Sequence, residues 1–268
     1  MGTSTPWIVA NNVASDLESA ARTTAAEFRI GGVQLLMRPQ SVHLLSAAVI
    51  ALGLLLPATR AQDSGVVLLH KMQSALGGAD KIAAIHDLDW TVQADAFEHD
   101  GKSIGQVTKR TRWIRPNYLR LDQIGPGDTY VLYFDGKQGW EILPDKPGVR
   151  DLVGDELKFA QRYLSGFMLT LWVADRVKGY TITSPSANVI GFSVNGNSPQ
   201  ITLDPKTWLP ADTSEWMTVQ GIRFPARSLN VHPGDGSADI RTTAVKFNSR
   251  LNPRDLAAKP DDLKPKMQ

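Results

Sequence analysis

The sequence predicts a mainly β protein: a curved, barrel-like antiparallel sheet of about eleven strands, with one helix near its start and one in its middle. Short runs that alternate apolar and polar residues recur between positions 89 and 248. Turn signals separate many of them: Asp100-Gly101, Gly125-Pro126-Gly127-Asp128, Asp135-Gly136 and Asn195-Gly196. Two stretches, 65–76 and 155–172, instead repeat their apolar residues at three and four positions, which is helical spacing.

Taken in order, GVVLLHKMQSAL places Val66, Leu69, Met72, Gln73 and Leu76 on one helical face, and Gly77-Gly78 suits its C-terminus. A short helix over 79–85 follows. The run 89–99 then alternates, with Trp90, Val92, Ala94 and Ala96 on one side. A strand over 102–114 ends at Trp113, and Pro116-Asn117 breaks it. Further strands are expected over 118–124, 129–134 and 139–143. Their tight connections make the sheet antiparallel. In 155–172, Leu157, Ala160, Leu164, Phe167 and Leu171 form one stripe, widened by Phe159, Tyr163 and Trp172. Gly166 weakens this helix and permits a break there. Strands resume over 179–183, 189–194, 200–204, 213–219, 222–231 and 239–248. The run TYVLYF (129–134) is apolar on both faces. A sheet curved beneath covering helices accounts for such a run beside one-sided neighbours.

The N-terminal region reads as an address. Arg38 follows Met37, and Val42 to Leu56 carries no Asp, Glu, Lys or Arg. Pro57 closes that run, and Thr59-Arg60-Ala61 puts small residues at −3 and −1 of a cut after Ala61. This is the order of a secretory signal, and its apolar run is shorter than the ~20 residues of a spanning helix. Residues 1–36 read as an N-terminal extension ahead of the true start at Met37, 37–61 as the signal peptide, 62–260 as one domain, and 261–268 as a loose, proline-containing tail. The expected location is the periplasm, without a stable membrane anchor. There is no cysteine, so neither a disulfide nor a lipidated cysteine is available. Lys plus Arg number 29 and Asp plus Glu 27, which gives no footprint for nucleic acid.

The helix ending in Ala75–Gly78 (ALGG), the following ADKIAAI, the strand beginning at Trp90 and the run YFDGKQGWEI (133–142) resemble bacterial outer-membrane lipoprotein-sorting proteins and the periplasmic lipoprotein carriers. The resemblance implies an open half-barrel of about eleven strands with helices packed as a lid. It also implies carriage of a lipid or acylated lipoprotein in an apolar cavity between sheet and lid. With no lipobox cysteine, the chain resembles the soluble carriers more than the anchored acceptors. The alternative within the same fold is an envelope sensor or binding module that recognises a protein partner.

No local signature supports catalysis. His70, His86, His99 and His232 form no HExxH or similar ligand pair, and neither a GxSxG elbow nor a P-loop is present. The chain is therefore expected not to be an enzyme and to need no metal or cofactor. His70, beside apolar residues, reads as structural. Asp87 and Asp89 read as turn or strand-edge carboxylates, and Gly234-Asp235-Gly236-Ser237-Ala238-Asp239 as a hairpin turn rather than a calcium loop. The candidate ligand-binding residues are apolar: Leu164, Phe167, Met168, Leu171 and Trp172 on the central helix, with Trp90, Trp113 and Trp140 on strands. Such a surface suits acyl chains, whose burial contributes roughly 0.8 kcal/mol per CH₂.

Overall fold

A computed structural model describes residues 64–259, apart from 126–127, 145 and 233–235. The expected extension 1–36, signal 37–61 and tail 261–268 lie outside the described residues. Among the described residues there are twelve strands: β1 (Asp87–Glu98), β2 (Ser103–Ile114), β3 (Tyr118–Gly125), β4 (Asp128–Phe134), β5 (Gly139–Leu143), β6 (Lys146–Asp151), β7 (Thr181–Ser186), β8 (Val189–Ser193), β9 (Gln200–Thr202), β10 (Thr213–Val219), β11 (Ile222–His232) and β12 (Gly236–Phe247). Nine of them form one open antiparallel sheet in the order β10-β11-β12-β1-β2-β3-β4-β5-β6, and β7-β8-β9 form a second, small sheet.

Strand β6 is the one the alternation did not reveal. Its sequence, KPGVRD, contains Pro147 and Gly148, which weaken a strand reading. Both are tolerated because β6 is the outer edge, where one side of the backbone needs no ladder partner.

One face of the large sheet is largely apolar. Leu88, Trp90 and Val92 on β1, Trp113 on β2, Leu119 and Leu121 on β3, and Leu132 and Phe134 on β4 join one buried cluster. Four helices contribute to that cluster: α1 (Gly65–Leu76), α2 (Ala79–Ala83), α3 (Gly154–Ser165) and α4 (Met168–Leu171). The continuous helix expected over 155–172 is two helices. Phe167 is extended (φ −63°, ψ 130°), so the chain leaves α3 at Gly166 and re-enters a helix one residue later. The break turns Leu169 inward to full burial, a position outside the expected stripe.

Helix α1 is seated by close backbone approach at both ends. A Cβ on Gly65 would lie 2.2 Å from the Thr183 carbonyl oxygen on β7, and one on Gly77 would lie 2.3 Å from the Gly221 carbonyl oxygen in the β10–β11 turn. Ser64 caps the N-terminus by accepting from the Val67 N–H at 3.3 Å. At the other end Gly77 is left-handed, and the Gly78 N–H reaches the Gln73 carbonyl at 2.8 Å. Because α1 touches β7 and β8 as well as β11, its buried stripe rotates to Leu68, Leu69, Met72, Gln73 and Leu76. Val66, expected on that stripe, is 39% exposed.

The opposite face of β3–β5 is covered too, by the C-terminal helix α5 (Pro253–Ala257). Val131, Tyr133, Trp140, Ile142 and Leu256 form a separate cluster there. This cluster, rather than curvature under the lid, explains why TYVLYF is apolar on both faces: Tyr130, Leu132 and Phe134 face the helix layer, while Val131 and Tyr133 face α5. Arg120 ties α5 down. Its guanidinium lies 5.4 Å from the Trp140 ring centre, and Nη1 donates to the Leu256 carbonyl at 3.0 Å and to the Ala258 carbonyl. Asp122 accepts from the same guanidinium at 2.9 Å.

Two outcomes follow from these contacts. Gly65→Ala should cost about 1–3 kcal/mol of unfolding free energy by overpacking against β7, seen as a lower urea midpoint. Ser74→Ala on the exposed side of the same helix should stay within about 0.5 kcal/mol. Arg120→Met should speed amide hydrogen exchange at Leu256 while β1 and β2 keep their protection, because the carbonyl anchors of α5 and the Asp122 and Trp140 contacts all lie on the α5 side of the sheet.

Candidate ligand site

The helix layer meets the sheet through aromatic and aliphatic side chains. The Trp113 ring packs on Phe167 at 5.3 Å between centres, and Trp172 meets Phe224 at 6.3 Å, edge to face. Phe224 also packs edge to face on Trp90, at 5.3 Å. Of the expected ligand residues, Leu164, Phe167, Leu171, Trp172, Trp90 and Trp113 are thus brought into one buried cluster, with Met168 half-buried against it. Trp140 is not: it stacks on Tyr133 at 5.8 Å on the far side of the sheet, beneath α5. Strand alternation places Trp140 and Glu141 on opposite faces, and it is Glu141 that faces the helices.

At one end of this layer the seam opens into a cleft of about 660 Å³. Its walls are α3, the turns after β2, β4 and β8, and the chain around Tyr180. Phe134 and Leu164 belong both to the cleft wall and to the large apolar cluster. The small sheet holds the last turn of α3 in place: the buried Asn197 donates from Nδ2 to the Arg162 carbonyl at 3.1 Å, and the Tyr180 hydroxyl donates to the Ser165 carbonyl at 2.5 Å. Burial pushes the Tyr180 hydroxyl up to about 12, so it remains a donor at neutral pH.

Polar groups also lie beneath the helices. Lys109, on β2 at the inward register between Val107 and Thr111, is 4% exposed. Its Nζ donates to the Tyr163 hydroxyl at 3.5 Å and lies 5.6 Å from that ring's centre. Desolvation alone pulls its pKa down to about 8 and pushes the buried Tyr163 hydroxyl upward. Nearby, Tyr130 and the Glu141 carboxyl are buried on the same face of the sheet. Burial raises that carboxyl, opposed by Arg150, whose Nη2 lies 3.3 Å from Glu141 Oε1 without hydrogen-bond geometry. The alternation Val107, Lys109, Thr111, Trp113 marks Lys109 as inward, although lysine as a residue type reads as solvent-facing.

The residues tested for chemistry are placed as follows. His70 pairs with Asp175 at 3.3 Å on the surface, and Gln73 donates to the same carboxylate at 2.8 Å and to the Trp172 carbonyl at 2.9 Å. His86 and His99 are exposed. Asp87 accepts from the Ser249 and Arg250 N–H groups at 2.7 and 3.0 Å, which makes it a turn carboxylate. Asp89 is bound by both donors of Arg110, at 2.8 and 2.7 Å, which lowers its pKa. Asp239 pairs with Arg227 at 2.7 Å. Among the described residues no group of three or more His, Asp or Glu could hold a metal ion.

Lys109 makes stability pH-dependent. Its folded pKa lies below the unfolded value, so the unfolded chain binds the proton better. The penalty is full below about pH 8 and fades as pH rises toward 10.5. Lys109→Met should therefore be more stable than wild type at pH 7. Denaturant titrations should show that gap closing by on the order of 3 kcal/mol by pH 10.5. A gap independent of pH would mean that burial of the charge is not what the lysine costs.

No protein-family model matches the chain, and no curated protein matches its sequence. Its structure is similar to that of a DUF1329 family protein from Desulfovibrio piger, with a TM-score of 0.46 and 14% identity over 75% of this chain and 98% of that one. It is also similar to a LolA superfamily protein from Nitrosomonas europaea, at TM-score 0.46 and 13% identity over 70% and 97% of the two chains. A domain assigned to outer membrane lipoprotein sorting, from Vibrio parahaemolyticus, aligns at TM-score 0.45 and 12% identity over 70% and 94%.

Proposed function

We propose that the chain is a periplasmic carrier that holds a lipid, or the acyl chains of a lipoprotein, between its open sheet and the helices over it, for transport toward the outer membrane. The observation that carries this reading is the continuity of the seam cleft with the apolar layer. Phe134 and Leu164 line the cleft and are also core residues. A hydrocarbon chain entering there meets Leu164, Phe167 and Trp113 in turn without crossing an ion pair. Burying a sixteen-carbon chain yields roughly 12 kcal/mol gross, against which the core must repack to admit it. Non-covalent affinity of this size needs no catalytic group. The periplasmic address rests on the signal pattern at 37–61. Among the described residues no helix is long and apolar enough to cross a membrane.

The full chain, expressed with its export signal, recovered from the periplasm and delipidated, should take up a fluorescent C16 fatty acid saturably and at one site. Quenching of core tryptophans should accompany uptake, because Trp113 on the sheet and Trp172 in the helix layer are both buried between the two. Absence of saturable uptake for fatty acid, lysolipid and lipopeptide probes alike would falsify the carrier reading.

A further inference from the structure

The cleft has a charge pattern unlike the rest of the molecule. Four cations line it, Arg115, Lys158, Arg162 and Lys178, and no aspartate or glutamate does. Overall charge does not explain this, since basic and acidic residues number 29 and 27. Elsewhere on the sheet, Arg110, Arg112, Arg120 and Arg227 each bond a carboxylate within 3.0 Å. Arg162 and Lys178 form no ion pair among the described residues. Lys158 pairs with Asp155 at 3.0 Å, but both side chains are exposed, and such a pair is weak and easily exchanged.

Arg115 is the most telling. Its guanidinium carbon sits 5.3 Å from the Trp113 ring centre. Nη1 donates to the Ala83 carbonyl at a long 3.4 Å, and Nη2 is buried with no hydrogen-bond partner among the described residues. A desolvated guanidinium with an idle donor is costly unless an anion completes it. Two fixed points hold the array together: the Arg162 carbonyl bonded to Asn197, and the Ser165 carbonyl bonded to Tyr180.

We propose that the cleft selects an anionic amphiphile, its phosphate or carboxylate headgroup seated among Arg115, Lys158, Arg162 and Lys178 and its chain directed to Phe134 and Leu164. This rests on the carrier reading and names the ligand class for it. A planar guanidinium and flexible ammonium groups around one opening suit a phosphate better than a zwitterionic or uncharged headgroup. The apolar wall at Leu164 distinguishes such a lipid from a free anion.

The test compares three probes on the full protein purified from the periplasm: 1-oleoyl lysophosphatidate, monooleoylglycerol and glycerol 3-phosphate, followed by tryptophan fluorescence and calorimetry. The two lipids share a chain and differ in charge. Lysophosphatidate should bind at least tenfold tighter than monooleoylglycerol in 50 mM salt. That ratio should fall to about twofold in 0.5 M NaCl as screening shortens the reach of the cations. The Arg162→Gln/Lys178→Gln variant, checked for an unchanged melting temperature, should bring the ratio near one in low salt. Equal affinities for the two lipids, or a ratio that survives in the variant, overturn the headgroup assignment and leave the carrier reading standing. If neither lipid binds, the headgroup assignment is overturned, and the fatty-acid and lipopeptide probes decide the carrier reading separately. Glycerol 3-phosphate binding as tightly as lysophosphatidate would make the cleft a site for a soluble anion and overturn the lipid assignment.

Discussion

An open antiparallel sheet nine strands wide has an apolar face that its own ladder cannot hide, and that face must be covered along its length. Here the demand runs from Phe224 and Phe247 at one side, through Trp90 and Trp113, to Leu132 and Phe134 at the other. The Phe224 ring sits at a junction of this surface. It meets Trp90, Phe247 and Trp172 with ring centres 5.3, 5.4 and 6.3 Å apart, all edge to face. Edge-to-face pairs add about 0.5–1.5 kcal/mol each beyond the area they bury. The helix layer is therefore registered on the sheet by aromatic geometry as well as by area. Gln73 extends the registration to α1 by bonding the Trp172 carbonyl.

Two buried cations on neighbouring strands show how differently a charge can be accommodated. Arg120 and Lys109 are 6% and 4% exposed. Arg120 faces α5 and satisfies its donors on two carbonyls and the Asp122 carboxylate, which fastens α5. Lys109 faces the helix layer, and desolvation shifts it toward its neutral form. The first arrangement holds the fold together. The second costs stability at neutral pH, which an apolar side chain at the same register would avoid.

Much of this was legible because period and turn chemistry act locally. The strands around Asp100-Gly101, Asp135-Gly136 and Asn195-Gly196 fall where alternation and turn residues put them. The break at Gly166 was foreseeable from propensity. Three features were not, for physical reasons. Strand β6 carries Pro147 and Gly148, admissible only because it is an edge, and edge position is a tertiary fact. Trp140 went to the far side because α5, more than a hundred residues later in sequence, supplies a second apolar cover. The cationic cleft unites Arg115, Lys158, Arg162 and Lys178 from separate segments, and no sequence window contains them all. Only Lys109 was within reach of the pattern and missed, since an inward lysine looks like an exception to alternation until its burial is known.

Helices α1 and α3 are held over the sheet in unlike ways. Helix α1 is locked by backbone contacts at Gly65 and Gly77, where no side chain can flex to make room. Helix α3 begins at Val153 without a side-chain cap, and its first residues are exposed. It ends at the Gly166–Phe167 break before α4, which is only four residues long. Short helices gain little from their own hydrogen bonds and depend on packing. The Phe167–Trp113 contact thus holds α4 to the sheet more than its own backbone does, while α1 keeps its seat by close backbone approach. Because Lys158 and Arg162 ride on α3 while Arg115 follows β2, the cation-lined cleft is built jointly by the helix layer and the sheet.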